Sequence, residues 1–138
     1  MRFVLRSAGF EVVVQSDCSV RVDYVDRELA TFRAELKPSY FSALGNEVYC
    51  SSNGQSLLIR LYDPILTLQG YGVTLRGEVY DSRILIPPTF REGEEARGTY
   101  YLDFRGLVFR VSQRNCEARK SEGKVTINCD GEFSLEVL

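Results

Sequence analysis

One stretch, Gly98 to Ser112, limits what this chain can fold into more than any other; it reads GTYYLDFRGLVFRVS. Tyr100, Leu102 and Phe104 alternate with Tyr101 and Asp103, and beyond Gly106 the alternation resumes with Leu107, Phe109 and Val111 against Arg110 and Ser112. Successive side chains of a strand point to opposite faces, so a period of two marks a strand with one face buried. The same pattern recurs along the chain. Phe10 to Gln15 reads as a first strand. After a turn at Gln15-Ser16-Asp17, Cys18, Val20, Val22 and Tyr24 point one way, with Arg21 and Asp23 the other. Asn53-Gly54, between Glu47–Ser51 and Ser56–Tyr62, is a hairpin turn signal, because both residues accept the positive φ of a primed turn. Asp130-Gly131 gives the same signal between Val125, Ile127, Cys129 and Phe133, Leu135, Val137.

Turn signals every 8 to 15 residues predict an all-β domain spanning 1–138. The expectation is a single antiparallel barrel of the OB type or a closely related sandwich, with eight to ten strands and little helix. Asp26 to Lys37 suits a helix through Leu29, Phe32 and Leu36. It suits a strand through Ala30, Phe32, Ala34 and Leu36, and the need for a pairing partner favours the strand. Pro38 closes it. Ser39 to Leu44 reads as a short helical turn stopped by Gly45. Val73 to Tyr80 is a further strand, and Gly77 inside it signals a bulge or a tight corner. Pro87 to Gly98 is a charged, proline-opened loop. The predicted core is Val20, Val22, Phe32, Leu58, Val79, Leu102, Phe109, Val111, Ile127 and Leu135.

Composition narrows the chemistry. The net charge is −2, which argues against a general positive field for coating duplex DNA. The chain has no histidine. That removes imidazole triads, neutral-pH general bases of the usual kind and histidine metal ligands. Gly70-Tyr71-Gly72 precedes a strand rather than a helix, so it is no phosphate loop. Glu92, Glu94 and Glu95 cluster as carboxylates could in a glycosidase, but beside Arg91 and Arg97 they read as a solvated loop. Glu78, Asp81 and Asp103, among strand residues, read as facing solvent or pairing with arginine. No cofactor, metal or small-molecule substrate is expected. No apolar run reaches the length of a membrane span, and the first residues, MRFVLRSAGFEVVV, do not read as a signal peptide. The expectation is a cytoplasmic protein without a membrane partner.

Four cysteines, Cys18, Cys50, Cys116 and Cys129, lie too far apart for paired zinc ligands. They read either as buried thiols or as disulfides. Four asparagines, four glutamines and one methionine suggest a hyperthermophile, where intracellular disulfides occur. Cys116 and Cys129 bound the connection to the last strands and are favoured as one pair.

Arginines near aromatic residues allow a second reading. Tyr71, Arg76, Tyr80, Tyr101, Arg105 and Arg110 could stack and hold the bases of a single strand on an open barrel face. Against it stands the ordinary use of strand tyrosines in cross-strand pairs.

Tyr100 to Phe104, Gly106 and Leu107-Val108-Phe109-Arg110-Val111, with Gly77-Glu78-Val79-Tyr80 upstream, resemble the late strands of the small barrel subunit shared by the eukaryotic RNA polymerases and found also in crenarchaeal polymerases. The resemblance implies an OB-type barrel without catalysis, a transcription subunit docked on the largest polymerase subunit. The first function expected is therefore a non-catalytic module bound to a protein partner. The alternatives are a single-stranded nucleic-acid-binding barrel and a structural or viral sandwich that assembles.

Overall fold

The computed structural model describes residues 2–85 and 95–138. Among these described residues fourteen strands run in chain order: β1 (Arg2–Ser7), β2 (Phe10–Gln15), β3 (Val20–Tyr24), β4 (Arg27–Ala34), β5 (Tyr40–Leu44), β6 (Glu47–Ser52), β7 (Gln55–Tyr62), β8 (Ile65–Tyr71), β9 (Leu75–Tyr80), β10 (Ser82–Ile84), β11 (Glu95–Ala96), β12 (Thr99–Phe104), β13 (Leu107–Ser121) and β14 (Lys124–Val137). No helix occurs among the described residues, so the all-β expectation holds and the strand count exceeds it. No helix there is long and apolar enough to cross a membrane.

All pairings are antiparallel, in the order β1-β2-β3-β4-β9-β14-β8-β7-β6-β5. Strands β8 and β9 follow each other in sequence, yet β14 lies between them. Lys124–Cys129 of β14 pairs with β9, and Glu132–Glu136 pairs with β8. Strand β13 runs along the whole of β14, with one register shift between Arg114 and Cys116. The long hairpin thus belongs to two half-sheets. The first contains β1 to β4 and β9; the second contains β5 to β8, with β12 continuing beyond β13.

The halves fold onto each other because each presents one apolar face. Val20, Phe32, Gly77, Ile127 and Ala118 lie in successive register across the first half and are buried, as are Val48, Ile59, Leu68 and Phe133 across the second. Phe32 meets Phe133 at 5.3 Å, and Phe109 is contacted by Tyr24 at 5.3 Å and Phe10 at 6.2 Å. Each such ring removed from water contributes about 1.5–3 kcal/mol. At the far side, Phe3 of β1 approaches Phe41 of β5 at 6.2 Å, so the flattened barrel is nearly closed. The Cys18–Cys50 disulfide ties the two halves, and Cys116–Cys129 joins directly opposed residues of β13 and β14.

Several expectations are corrected. Asp130-Gly131 is no turn: β14 passes straight through it, and the turn lies at Glu122-Gly123, where Gly123 has φ +66°. Gly131 is required for a different reason. A Cβ there would lie 2.3 Å from the Arg114 carbonyl oxygen, at the bulge where the hairpin passes between the half-sheets. Tyr40–Leu44 is a strand, paired with β6. Gly77 carries no register shift; the Phe32 ring occupies the space of its missing side chain. Leu58 is half-buried on the outer face, because Leu57, Ile59 and Leu61 take the inward positions of β7. The other predicted core residues are buried. Within Asp26–Lys37, Arg27–Ala34 is the strand β4, as favoured, and Asn53-Gly54 makes its turn with φ of +47° and +79°. Of the expected Pro87–Gly98 loop, the part through Glu94 lies outside the described residues, and Glu95–Ala96 is not loop but the strand β11, paired with β13.

Candidate functional site

The outward positions of β5 to β8 form a regular grid. One row across the strands is Tyr40, Ser51, Ser56 and Tyr71; the next is Ser42, Tyr49, Leu58 and Gln69. None of these eight residues is charged, in a chain with 26% charged residues. Tyr71 is 73%, Tyr40 57% and Tyr49 36% exposed. The rings of Tyr40 and Tyr49 meet edge to face at 6.4 Å. The third row, Leu44, Glu47, Arg60 and Thr67, brings in charge, and beyond it lie Tyr62 and Ile65. The Tyr62 hydroxyl donates to Glu47, which raises its pKa above the usual phenol value. The result is a flat aromatic surface with hydroxyl and amide groups between the rings. Phenol rings have an apolar body and a polar tip, so such a surface can stack on a flat ligand and hydrogen-bond at its edge.

The other half-sheet carries a groove of about 800 Å³ over β2, β3, β4, β9 and β14. Arg33 and Arg76 stand directly opposite each other in the β4–β9 ladder, and Asn128 is opposite Arg76 on β14. Gln15, Ser19, Thr31 and Thr126, with the charged Arg21 and Glu78, complete the polar lining.

The residues proposed for a nucleic-acid strand do not converge. Arg76 and Tyr80 lie on the first half-sheet, where the Tyr80 hydroxyl is 2.7 Å from that of Thr31. Tyr71 lies on the second half-sheet, at the end of β8. Tyr101 and Arg110 face outward on β12 and β13, and Arg110 is bound to Glu136, which raises its pKa first, followed by Tyr101. Arg105 sits in the β12–β13 turn against Asp81 at 2.8 Å. The carboxylates behave as surface ion pairs: Asp103 with Arg83 at 3.2 Å and Glu78 with Lys124 at 3.0 Å. Glu92 and Glu94 lie outside the described residues. Sequence reasoning missed the grid because it took Leu58 as core and left β8 unassigned. The parity of Leu57, Ile59 and Leu61 could have revealed the outward set.

No family model matches the chain, and no curated protein matches it. Among solved structures, a glycoside hydrolase family 81 chain from Clostridium thermocellum is similar in fold, with a TM-score of 0.59 and 12% identity over 98% of this chain. The match takes in 22% of that chain, so the present chain spans about a fifth of its length. This likeness corrects the expectation of a polymerase subunit. The residues that carried the resemblance have a local cause. Arg105 and Gly106 take φ of +51° and +89° in a tight β12–β13 turn; that turn and its alternating flanks can occur in any antiparallel pair.

Proposed function

We propose that this chain is a non-catalytic module that binds a neutral sugar chain on the tyrosine face of β5 to β8. The observation that carries this reading is the pair of uncharged rows, with Tyr40, Tyr49 and Tyr71 exposed among serines and Gln69. A pyranose ring offers an apolar face of C–H groups and a rim of hydroxyls. An exposed phenol stacks on the first, and serine hydroxyls and a glutamine amide meet the second. A nucleic-acid strand would call for cations along such a surface, and these two rows have none. The fold likeness to part of a glycoside hydrolase is consistent with a carbohydrate ligand. The two disulfides suit an oxidising compartment, or the interior of a hyperthermophile.

The test is a panel of neutral oligosaccharides and polysaccharides, read by calorimetry and by retention in affinity gels. Binding to at least one neutral glycan is expected. Tyr49→Ala should weaken it about tenfold or more, equivalent to about 1.4 kcal/mol, with thermal unfolding little changed. Absence of binding across the panel, or binding indifferent to both Tyr49→Ala and Tyr71→Ala, would refute the reading. Concentration-dependent self-association lost in the same variants would instead mark the face as a protein interface.

A further inference from the structure

The groove of the opposite half-sheet poses a separate problem. Like charges directly opposite in an antiparallel pair are unfavourable, yet Arg33 and Arg76 are such a pair. Several other outward arginines are placed against carboxylates, Arg21 by Asp23 and Glu28, Arg83 by Asp103, Arg105 by Asp81, Arg110 by Glu136 and Arg114 by Glu132, whereas Arg2, Arg27 and Arg60 stand singly and not opposite another arginine. Arg33 and Arg76 have no ion pair among the described residues. The nearby carboxylates are committed elsewhere. Glu78 is held by Lys124 at 3.0 Å and Glu117 by Arg97 at 3.1 Å. Asp17, at the rim, accepts from the Ser19 backbone N–H at 2.9 Å and from its hydroxyl at 2.6 Å; these bonds first, and the charge of Arg33 after them, hold its carboxyl below the usual value, so Arg33 is balanced in part at the rim but forms no ion pair.

We infer that this groove binds the anionic groups of an acidic sugar chain, with the guanidinium groups of Arg33 and Arg76 as the charged ligands. A guanidinium presents a planar fork of donors that matches a carboxylate or sulfate oxygen pair. Two forks side by side, neither in an ion pair, leave positive charge in a groove whose other charged lining residues are Arg21, paired with Asp23 and Glu28, and Glu78, paired with Lys124. Ser19, Thr31, Thr126 and Asn128 supply the hydroxyl and amide groups that sugar hydroxyls need. The row from Ser19 through Arg33 and Arg76 to Asn128 crosses about three strand spacings, about 14 Å, which suits an oligosaccharide better than a single sugar. Among the described residues no exposed aromatic ring lines the groove for a base to stack on. The charge complementarity therefore points to an acidic glycan rather than a nucleic acid. This site is independent of the tyrosine face, and either assignment can fail alone.

The experiment titrates the full chain with oligogalacturonate as the carboxylate probe and dextran sulfate as the sulfate probe. Neutral dextran and a single-stranded DNA oligonucleotide are run beside them. The variants are Arg33→Gln/Arg76→Gln and, as a control for lost charge on the same half-sheet, Arg27→Gln. One acidic glycan is expected to bind, more weakly as salt rises. The double variant should lose about tenfold or more of that affinity, and Arg27→Gln should lose little. Tighter binding of oligogalacturonate identifies carboxylate as the recognised group; tighter binding of dextran sulfate identifies sulfate. An unfolding midpoint of the double variant at or above that of the parent shows that the loss is not a folding defect. Failure of both acidic probes to bind, equal losses in Arg27→Gln, or DNA bound as tightly as the glycans would each overturn the inference. Binding of neutral glycans, and its sensitivity to Tyr49→Ala, should be unaffected throughout.

Discussion

Replacing Gly77 by alanine tests the packing between the half-sheets with a single carbon. Gly77 is buried on β9 and lies opposite Phe32 of β4. A Cβ built on it would stand 2.4 Å from Phe32 Cδ1 and 2.5 Å from Cε1, well inside van der Waals contact. Relief requires the ring to move, and the ring is held: Val20 is its partner on β3, and Phe133 lies across the core at 5.3 Å. Two effects compete. Alanine narrows the unfolded ensemble, which favours folding by about 0.4–1 kcal/mol. Forcing an extra carbon into a filled core costs about 1–3 kcal/mol. With the clash falling on two atoms of a pinned ring, the second effect dominates, and a net loss of about 1–2 kcal/mol follows. At about 3–5 °C per kcal/mol for a chain of this size, the midpoint should drop by about 3–10 °C. The assay is thermal and urea unfolding with both disulfides intact. A Phe32→Leu background should reduce the cost of Gly77→Ala, since contacting residues couple. A Gly77→Ala variant as stable as the parent, or an additive double variant, would show that the Phe32 ring does not rest on Gly77.

Phe109→Ala should cost about 3–5 kcal/mol, because its ring touches Phe10, Tyr24 and Phe104; chemical denaturation measures it, and a loss near zero would place the ring outside the core. Replacing Cys18 and Cys50 by serine opens a loop of sequence separation 32 and should cost about 3–4 kcal/mol on the chain-entropy estimate, while mass analysis of unreduced parent protein should find no alkylatable thiol. Burial pushes the Tyr100 phenol far above its usual value near 10. Its contribution to stability is therefore fully present below pH 10 and is lost as pH rises beyond it. Tyr100→Phe should flatten that alkaline decline in a pH series of unfolding midpoints, while losing the bond to Gln113 at neutral pH.

What the sequence revealed depends on how each element buries its residues. Strands β3 and β12 show one clean alternating face, and β7 follows a turn that only a primed geometry explains, so they were legible. Strand β8 was not, because outward Ile65 precedes inward Leu66 and Leu68 and blurs the period. Strand β5 pairs on one side only, with outward Tyr40 and Leu44 exposed, and its local pattern resembled a helical turn. Asp130-Gly131 misled for an instructive reason. Val125, Ile127, Cys129, Phe133, Leu135 and Val137 keep one parity across it, which a continuous strand explains and which outweighs a turn dipeptide. The candidate faces were harder still. Arg33 and Arg76 are 43 positions apart in sequence, and only the β4–β9 register brings them together; the tyrosine grid likewise exists only once four strands are aligned.

The placement of β14 also has a consequence for assembly of the fold in time. Strands β8 and β9 are made one after the other, yet they must remain apart until a segment synthesised about fifty residues later enters between them. Until then each displays an open hydrogen-bonding edge, a template for wrong partners. Long-range pairings of this kind slow folding, since loop closure precedes any gain from contact. A nascent chain halted before Lys124 would be a pair of sticky half-sheets. Arrival of the last hairpin would close both edges in one step, making β14 the keystone that turns two aggregation-prone halves into a protein.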